Sequence, residues 1–254
     1  MYSLWLQVAV KSPRFGDLSE TEATKINKSI DREIHVWGML EHQYVLPFYG
    51  TVEGFGRFRA LVSPWMRNGN LNSYLNRPDM TLTMTDKLCI LKQITEGLKY
   101  LHDKNVIHGD LTSNNVLIAD DGSPRLADFG ISNIVKQSNS TFSYHTGAVR
   151  WVAPEFIITQ EDQTIQCGTK SSDMYALGGI MLQVLYGKQP YWWLKNAVHV
   201  VSAKFKDLEP INDSLQIQPT HLDFMRRCWS PNTEVRPSVD DVLNFLQEVP
   251  LNGS

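Results

Sequence analysis

His108-Gly109-Asp110-Leu111, followed by Asn115, stands just past the end of a long helical pattern. Asp128-Phe129-Gly130 comes next, behind a hairpin pattern, and Ala153-Pro154-Glu155 follows it. Upstream of all three, Val8-Ala9-Val10-Lys11 has the character of a strand,. Each string alone is weak, because a three-residue match arises by chance and VAVK is ordinary strand sequence. In this order and in these settings they are a strong joint constraint on the fold.

The pattern around them describes a small front part with strands and one helix, then a larger helical part. Leu4, Leu6, Val8 and Val10 alternate on one face of the first strand,. Residues 12–20 read as a polar turn. From Ser19, the steps between Ile26, Ile30, Ile34, Trp37 and Leu40 predict a helix,. Residues 48–52 and 58–62 are extended runs joined by Glu53-Gly54-Phe55-Gly56-Arg57, a hairpin signal,. Met66-Arg67-Asn68-Gly69-Asn70 is a turn suited to a hinge. Leu88, Leu91, Ile94, Leu98 and Leu101 form an apolar stripe, with Thr85 as the expected N-cap,. A second hairpin joins residues 116–118 to 125–127 through Asp120-Asp121-Gly122. A polar tract over 136–144 precedes further helices at about 171–186, at 219–229 and from Val239,. There is no internal repeat and no low-complexity segment.

Composition narrows the function classes. At 254 residues the chain is one large domain or two small ones,. Hydrophobic residues at 42% against 20% charged support a folded core and exclude wholesale disorder,. Lys and Arg number 24 and Asp and Glu 27, so the net charge is −3. A dedicated nucleic-acid binder needs a basic surplus, and no nucleic-acid partner is expected. Cys89, Cys167 and Cys228 lie far apart without CxxC spacing, which suits the reduced cytoplasm or nucleus,. No stretch reaches the roughly 18 apolar residues that span a bilayer; residues 177–186 are too short and include Gln183. The first ten residues lack a basic region and a cleavage site, so they read as a strand rather than a signal peptide,. No membrane partner is expected.

With these motifs the chain resembles the protein kinase superfamily, from Val8 to about residue 246,. Asp173 in Ser171-Ser172-Asp173-Met174-Tyr175-Ala176-Leu177-Gly178 and Arg236 before Pro237 fit later landmarks of that family. Arg150-Trp151 and Cys228-Trp229 give it the style of the tyrosine-kinase-like group. The resemblance implies an α+β, two-lobed fold made by residues 1–254 as a single domain. The N-lobe, about 1–64, is expected to be reduced to about three strands and one helix. A hinge at about 64–70 leads to a mainly helical C-lobe at about 71–250. The implied activity is transfer of the γ-phosphoryl of Mg-ATP to protein hydroxyls, with Ser/Thr preferred, so ATP and Mg2+ are the implied cofactors and a protein is the substrate.

Phosphoryl transfer needs charge neutralised and an alcohol aimed at phosphorus. By resemblance, Asp110 accepts the substrate hydroxyl proton and orients the hydroxyl, while Asn115 and Asp128 hold Mg2+. Lys11 grips the α- and β-phosphates and is fixed by Glu33 in Asp31-Arg32-Glu33-Ile34. Glu41 and Glu22 are poorer partners because they fall near the helix ends. In isolation Lys11 and Glu33 would read as an exposed strand lysine and a solvated helix face. Ala9 and Leu117 close on the two faces of adenine, Met66 offers backbone groups to its edge, Ser63 guards the back of the pocket, and Asn70 belongs to the nucleotide-binding set. His108 packs under Phe129, Glu155 pairs with Arg236, and Asp173 braces the catalytic-loop backbone.

The chain departs from the family pattern in four places. Residues 1–10 contain no glycine, and Gly54-Phe55-Gly56 lies in a later hairpin. The expectation is that the glycine-rich phosphate lid is lacking and that a partner or a missing upstream segment covers the first strand edge. Gly109 stands in place of the usual Arg, so a phosphate on residues 138–146 lacks its usual guanidinium. Phosphorylation there is therefore not expected to be the main switch, although Thr141, Ser143 and Tyr144 remain modifiable; a large rise in activity on phosphorylation would point to another base such as Arg150. Thr112 stands where Ser/Thr kinases carry a lysine, and Ala148 replaces a threonine that steadies the catalytic Asp. These departures keep a pseudokinase scaffold open as an alternative. A small-molecule phosphotransferase of the aminoglycoside type is more remote, because Ala153-Pro154-Glu155 and Arg236 build a platform for protein substrates.

Overall fold

Ser19 starts the first helix. Its hydroxyl accepts from the Glu22 amide while the Glu22 carboxylate accepts from the Ser19 amide, a capping box at the head of α1 (Glu20–Gly38),. In this computed structural model residues 7–12, 19–129, 148–157 and 168–249 are described. Ile26 and Ile30 of α1 are buried with Ala23 against Phe58, and Trp37 donates its indole N–H to the Leu46 carbonyl at 2.7 Å. The predicted stripe is therefore the buried face.

Beside α1 lies an antiparallel sheet of β1 (Val8–Lys11), β2 (Gly50–Val52) and β3 (Ala60–Pro64), in the order β1-β3-β2. The register pairs Ala9 with Ser63 and Lys11 with Leu61. Paired residues share a face, and Leu61 and Ser63 are buried, so Ala9 and Lys11 stand on the inner face. Val8 and Val10 fall on the other face, 43% and 38% exposed. The period-2 reading of this strand holds, but its apolar residues look outward: the register, not the hydrophobicity of β1, decides which face is covered. Leu4 and Leu6 lie outside the described residues.

The rear part carries α2 (Leu71–Leu75), α3 (Met84–Asp103), the hairpin of β4 (Val116–Ile118) and β5 (Pro124–Leu126), α4 (Lys170–Tyr186), α5 (Ala197–Phe205), α6 (Pro219–Cys228) and α7 (Val239–Glu248). Thr83, not Thr85, caps α3, because only Thr83 has an acidic residue, Asp86, three positions on to close a capping box,. Leu88, Leu91, Ile94, Leu98 and Leu101 of α3 are buried against α4 and α7. From Ser172 to Leu185 every residue of α4 is buried, so this helix is the rear part's axis,. Neither α2 nor α5 is among the helices expected from periodicity. In α5 a run of β-branched residues around His199 masks helical character, although Asn196 caps it through the His199 amide.

The two parts are stitched by backbone. The Leu46 amide donates to the Leu126 carbonyl and the Leu126 amide to the Tyr44 carbonyl, each at 2.9 Å. Trp37 meets Phe129 edge-on at 5.9 Å between ring centroids. The result is the expected α+β, two-lobed arrangement: a front lobe of few strands and one helix on a mainly helical rear lobe.

Candidate active site

The β4–β5 hairpin brings two distant oxygen donors together. Val116 pairs with Leu126, and the Ala127 amide donates to the Asn115 carbonyl at 2.9 Å. Asn115 and Asp128 thus flank the open end of the hairpin. The Asn115 amide nitrogen donates to the Asp110 carbonyl at 2.7 Å and to the Asp110 carboxylate at 2.9 Å. This fixes both residues and leaves the Asn115 carboxamide oxygen as its coordinating atom. Asp128 has φ +60, a left-handed backbone that Asp tolerates better than most residues.

Lys11 reaches across from β1. Its ammonium lies 2.5 Å from the Asp128 carboxylate. Glu33 is 7% exposed and makes no hydrogen bond or ion pair among the described residues. Burial pushes its carboxyl up to about 8; the Asp128 charge adds to the rise and the Lys11 charge opposes it,. The expected Lys11–Glu33 pair is therefore replaced here by Lys11–Asp128. One ammonium faces two carboxylates, and the more buried carboxylate is the one that gains by holding a proton.

The residues expected around a nucleotide lie on the sheet, in the turn beyond β3 and on the β4–β5 hairpin. Ala9 and Ser63 are opposite each other on the inner face of the sheet, and Ser63 is buried. Met66 lies in the turn beyond β3, and its carbonyl already accepts from the Gly69 amide at 3.0 Å. A carbonyl oxygen has two lone pairs, so this bond does not withdraw it from an adenine edge. Leu117 of β4 bridges to Asn70. The Asn70 carboxamide oxygen accepts from the Ser73 amide at 2.8 Å and caps α2, a local role beside the nucleotide-binding one expected of it.

Asp173 braces the catalytic loop from the head of α4, as expected. Its two oxygens accept from the His108 amide at 2.9 Å and the Gly109 amide at 2.8 Å. A third contact, 2.8 Å to the His102 Nε2, was not foreseen; nothing distinguishes a histidine closing α3 from a surface one until α4 lies beside it. His108 is fully buried, 6.2 Å from the Phe129 ring in an edge-on arrangement. Burial lowers its pKa, which keeps the ring neutral and structural,. Glu155 and Arg236 form a bidentate pair at 2.7 and 2.8 Å, the arginine side chain wholly covered,. The Arg150 guanidinium donates to the carbonyls of Pro190, Tyr191 and Leu194, which occupies three of its five N–H donors. The modifiable residues Thr141, Ser143 and Tyr144 lie outside the described residues, as does Gly130. A small cavity beside Asp110 is lined by Thr112, Ala148, Trp151, Val152 and Phe156.

The sequence profile described as protein tyrosine and serine/threonine kinase matches residues 4–246. The chain belongs to this kinase family. It is 28% identical to ephrin type-A receptor 5 of Rattus norvegicus, over 98% of this chain and 24% of the receptor. Against ephrin type-A receptor 3 of Danio rerio the identity is 28%, over 98% of this chain and 24% of that receptor. Ephrin type-B receptor 5 of Gallus gallus is 29% identical, over 95% and 23%. The chain thus spans about a quarter of the length of these curated relatives. Within the kinase domain no helix among the described residues is long and apolar enough to cross a membrane.

The donor set fits the metal that the family implies. Among the described residues no group of three or more His, Cys, Asp and Glu is placed to hold a cation alone. Asp128 and Asn115 contribute one carboxylate and one carboxamide oxygen, hard donors suited to Mg2+ that shares its remaining sites with phosphate and water.

Proposed function

We propose that this kinase domain transfers the γ-phosphoryl of ATP, with Mg2+, to a hydroxyl of a protein substrate. The observation that carries the reading is the Asp110–Asn115 clamp, set beside an Asp128 that already attracts the Lys11 ammonium. In this reading Asp110 orients the acceptor hydroxyl and takes its proton. Asn115 and Asp128 hold Mg2+, whose charge offsets that of the phosphates when bound. Lys11 turns from Asp128 to the α- and β-phosphates, and Glu33 steadies it there. Ala9 and Leu117 enclose adenine, Met66 backbone groups meet its edge, Ser63 limits the depth of the pocket, and Asn70 lies at the rim. Residues 1–254 act as one domain, with a hinge at about 64–70.

The acceptor is a serine or threonine by the sequence reading, whereas the matching profile embraces tyrosine as well. A cytoplasmic setting belongs to the same proposal, supported by Cys89 and Cys228 standing as separate thiols,. The test is Asp110→Asn assayed on peptides bearing a single Ser, Thr or Tyr. Turnover is expected to fall at least about a hundredfold while nucleotide affinity changes little. Equal turnover in parent and variant overturns the role of Asp110, and the peptide that is phosphorylated identifies the acceptor class.

A further inference from the structure

Lys204, in the last turn of α5, is only 2% exposed. An ammonium this deep is costly unless each N–H finds an acceptor. Its Nζ lies 2.5 Å from the Val152 carbonyl, 3.3 Å from the Arg150 carbonyl and 3.1 Å from the Tyr175 hydroxyl. It also stands over the rings of Tyr175 and Tyr191, 4.6 and 5.0 Å from their centroids,. Three acceptors thus meet three N–H donors. Burial lowers the pKa of this lysine and the Glu155 charge opposes the fall.

The two carbonyls belong to residues on either side of Trp151. Arg150 runs the opposite way, donating to the carbonyls of Pro190, Tyr191 and Leu194 at 3.0, 2.5 and 2.6 Å. Residues 150–152 are therefore cross-tied to the region around α5 by two cations, each bonded to the backbone of the facing segment. Trp151 and Val152 line the same small cavity as Asp110 and Thr112. A shift of the tied segment changes the space next to Asp110 without touching Lys11, Asn115 or Asp128.

We propose that Lys204 is a positioning residue for the protein substrate: it holds the backbone of residues 150–152 against α5 and so sets the wall that an acceptor segment meets beside Asp110. The substrate half of this proposal rests on the kinase reading; the tether itself does not. The test uses the full chain carrying Lys204→Met, which keeps the stem and removes the charge. Amide hydrogen exchange in residues 148–157 is expected to rise about tenfold while α3 and α4 keep their protection, as loss of charge-assisted hydrogen bonds implies. The peptide KM is expected to rise about tenfold with the KM for ATP unchanged, a loss of binding confined to one substrate. Should Lys204→Met fail to fold, Tyr175→Phe removes one acceptor and is expected to give the same local pattern at smaller amplitude. Unchanged exchange over 148–157, or a uniform rise through the whole domain, overturns the proposal. If the parent phosphorylates no peptide the kinase reading falls, and the exchange pattern alone decides the tether.

Discussion

Two carboxylates and one ammonium meet where β1 faces the catalytic loop, and their balance is visible in pH. The Glu33 carboxyl sits at about 8 in the folded protein against 4.5 for the ordinary group. Between those values the native protein holds a proton that the unfolded chain has released. Stability therefore falls as pH rises through that window and levels off above it. Glu33→Gln has no such proton to lose. In thermal unfolding at a series of pH values from about 5 to 8.5, the variant is expected to gain on the parent as pH rises. A difference that stays constant with pH would mean that the buried carboxyl is ionised throughout.

At the scale of elements, α4 organises the rear lobe through both its head and its middle. At its head, Asp173 ties the loop at His108 and Gly109 to the helix. Asp173→Ala leaves the buried His108 amide, the half-buried Gly109 amide and the His102 ring without their acceptor. The expected loss is about 3 kcal/mol or more, read from urea unfolding; a loss under about 1 kcal/mol would show that the loop finds other partners. In its middle, a Cβ on Gly178 would lie 2.7 Å from the Cys228 Cβ and from the Trp229 indole nitrogen. Helix propensity alone favours alanine there by about 1 kcal/mol. Overpacking against α6 and the Trp229 ring costs about 1–3 kcal/mol and wins. Gly178→Ala is thus expected to lower the urea midpoint, and a raised midpoint would mean that α6 can give way.

Across the whole molecule the front and rear lobes meet through the Leu46–Leu126 backbone, the Trp37–Phe129 contact and the Lys11–Asp128 pair. A ligand that engages Lys11 from one lobe and Asp128 and Asn115 from the other stabilises both lobes as a unit. Mg-ATP at a hundred times its Kd is expected to add about 2.7 kcal/mol to unfolding. Differential scanning fluorimetry with and without EDTA checks this. Asp128→Asn is expected to abolish the Mg2+-dependent part, and stabilisation by ATP that EDTA leaves intact would remove Asp128 and Asn115 from the metal-binding role.

Much of this fold is legible in the amino-acid sequence, because its signals are local. The stripe of α1 from Ile26 to Trp37 and the hairpin around Gly122 follow from side-chain periodicity and turn chemistry within a few residues. The order of Lys11, Asp110, Asn115 and Asp128 marks the candidate site for the same reason, each residue standing in a short motif at the edge of an element. What needed the tertiary structure is which partner arrives from far along the chain. The sequence reading pairs Lys11 with Glu33, and only the packing of β1 toward the β4–β5 hairpin brings its ammonium to Asp128. Asn70 carries a local capping signal that a nucleotide-binding reading overlooks. His102 and Lys204 look like solvated helix ends until α4 covers both and residues 150–152 deliver two carbonyls to the ammonium. Sequence period determines where helices and strands form and which residue types line the site. Long-range packing alone determines which charges are buried, because burial and hydrogen-bond partners belong to neighbours in space, not in sequence.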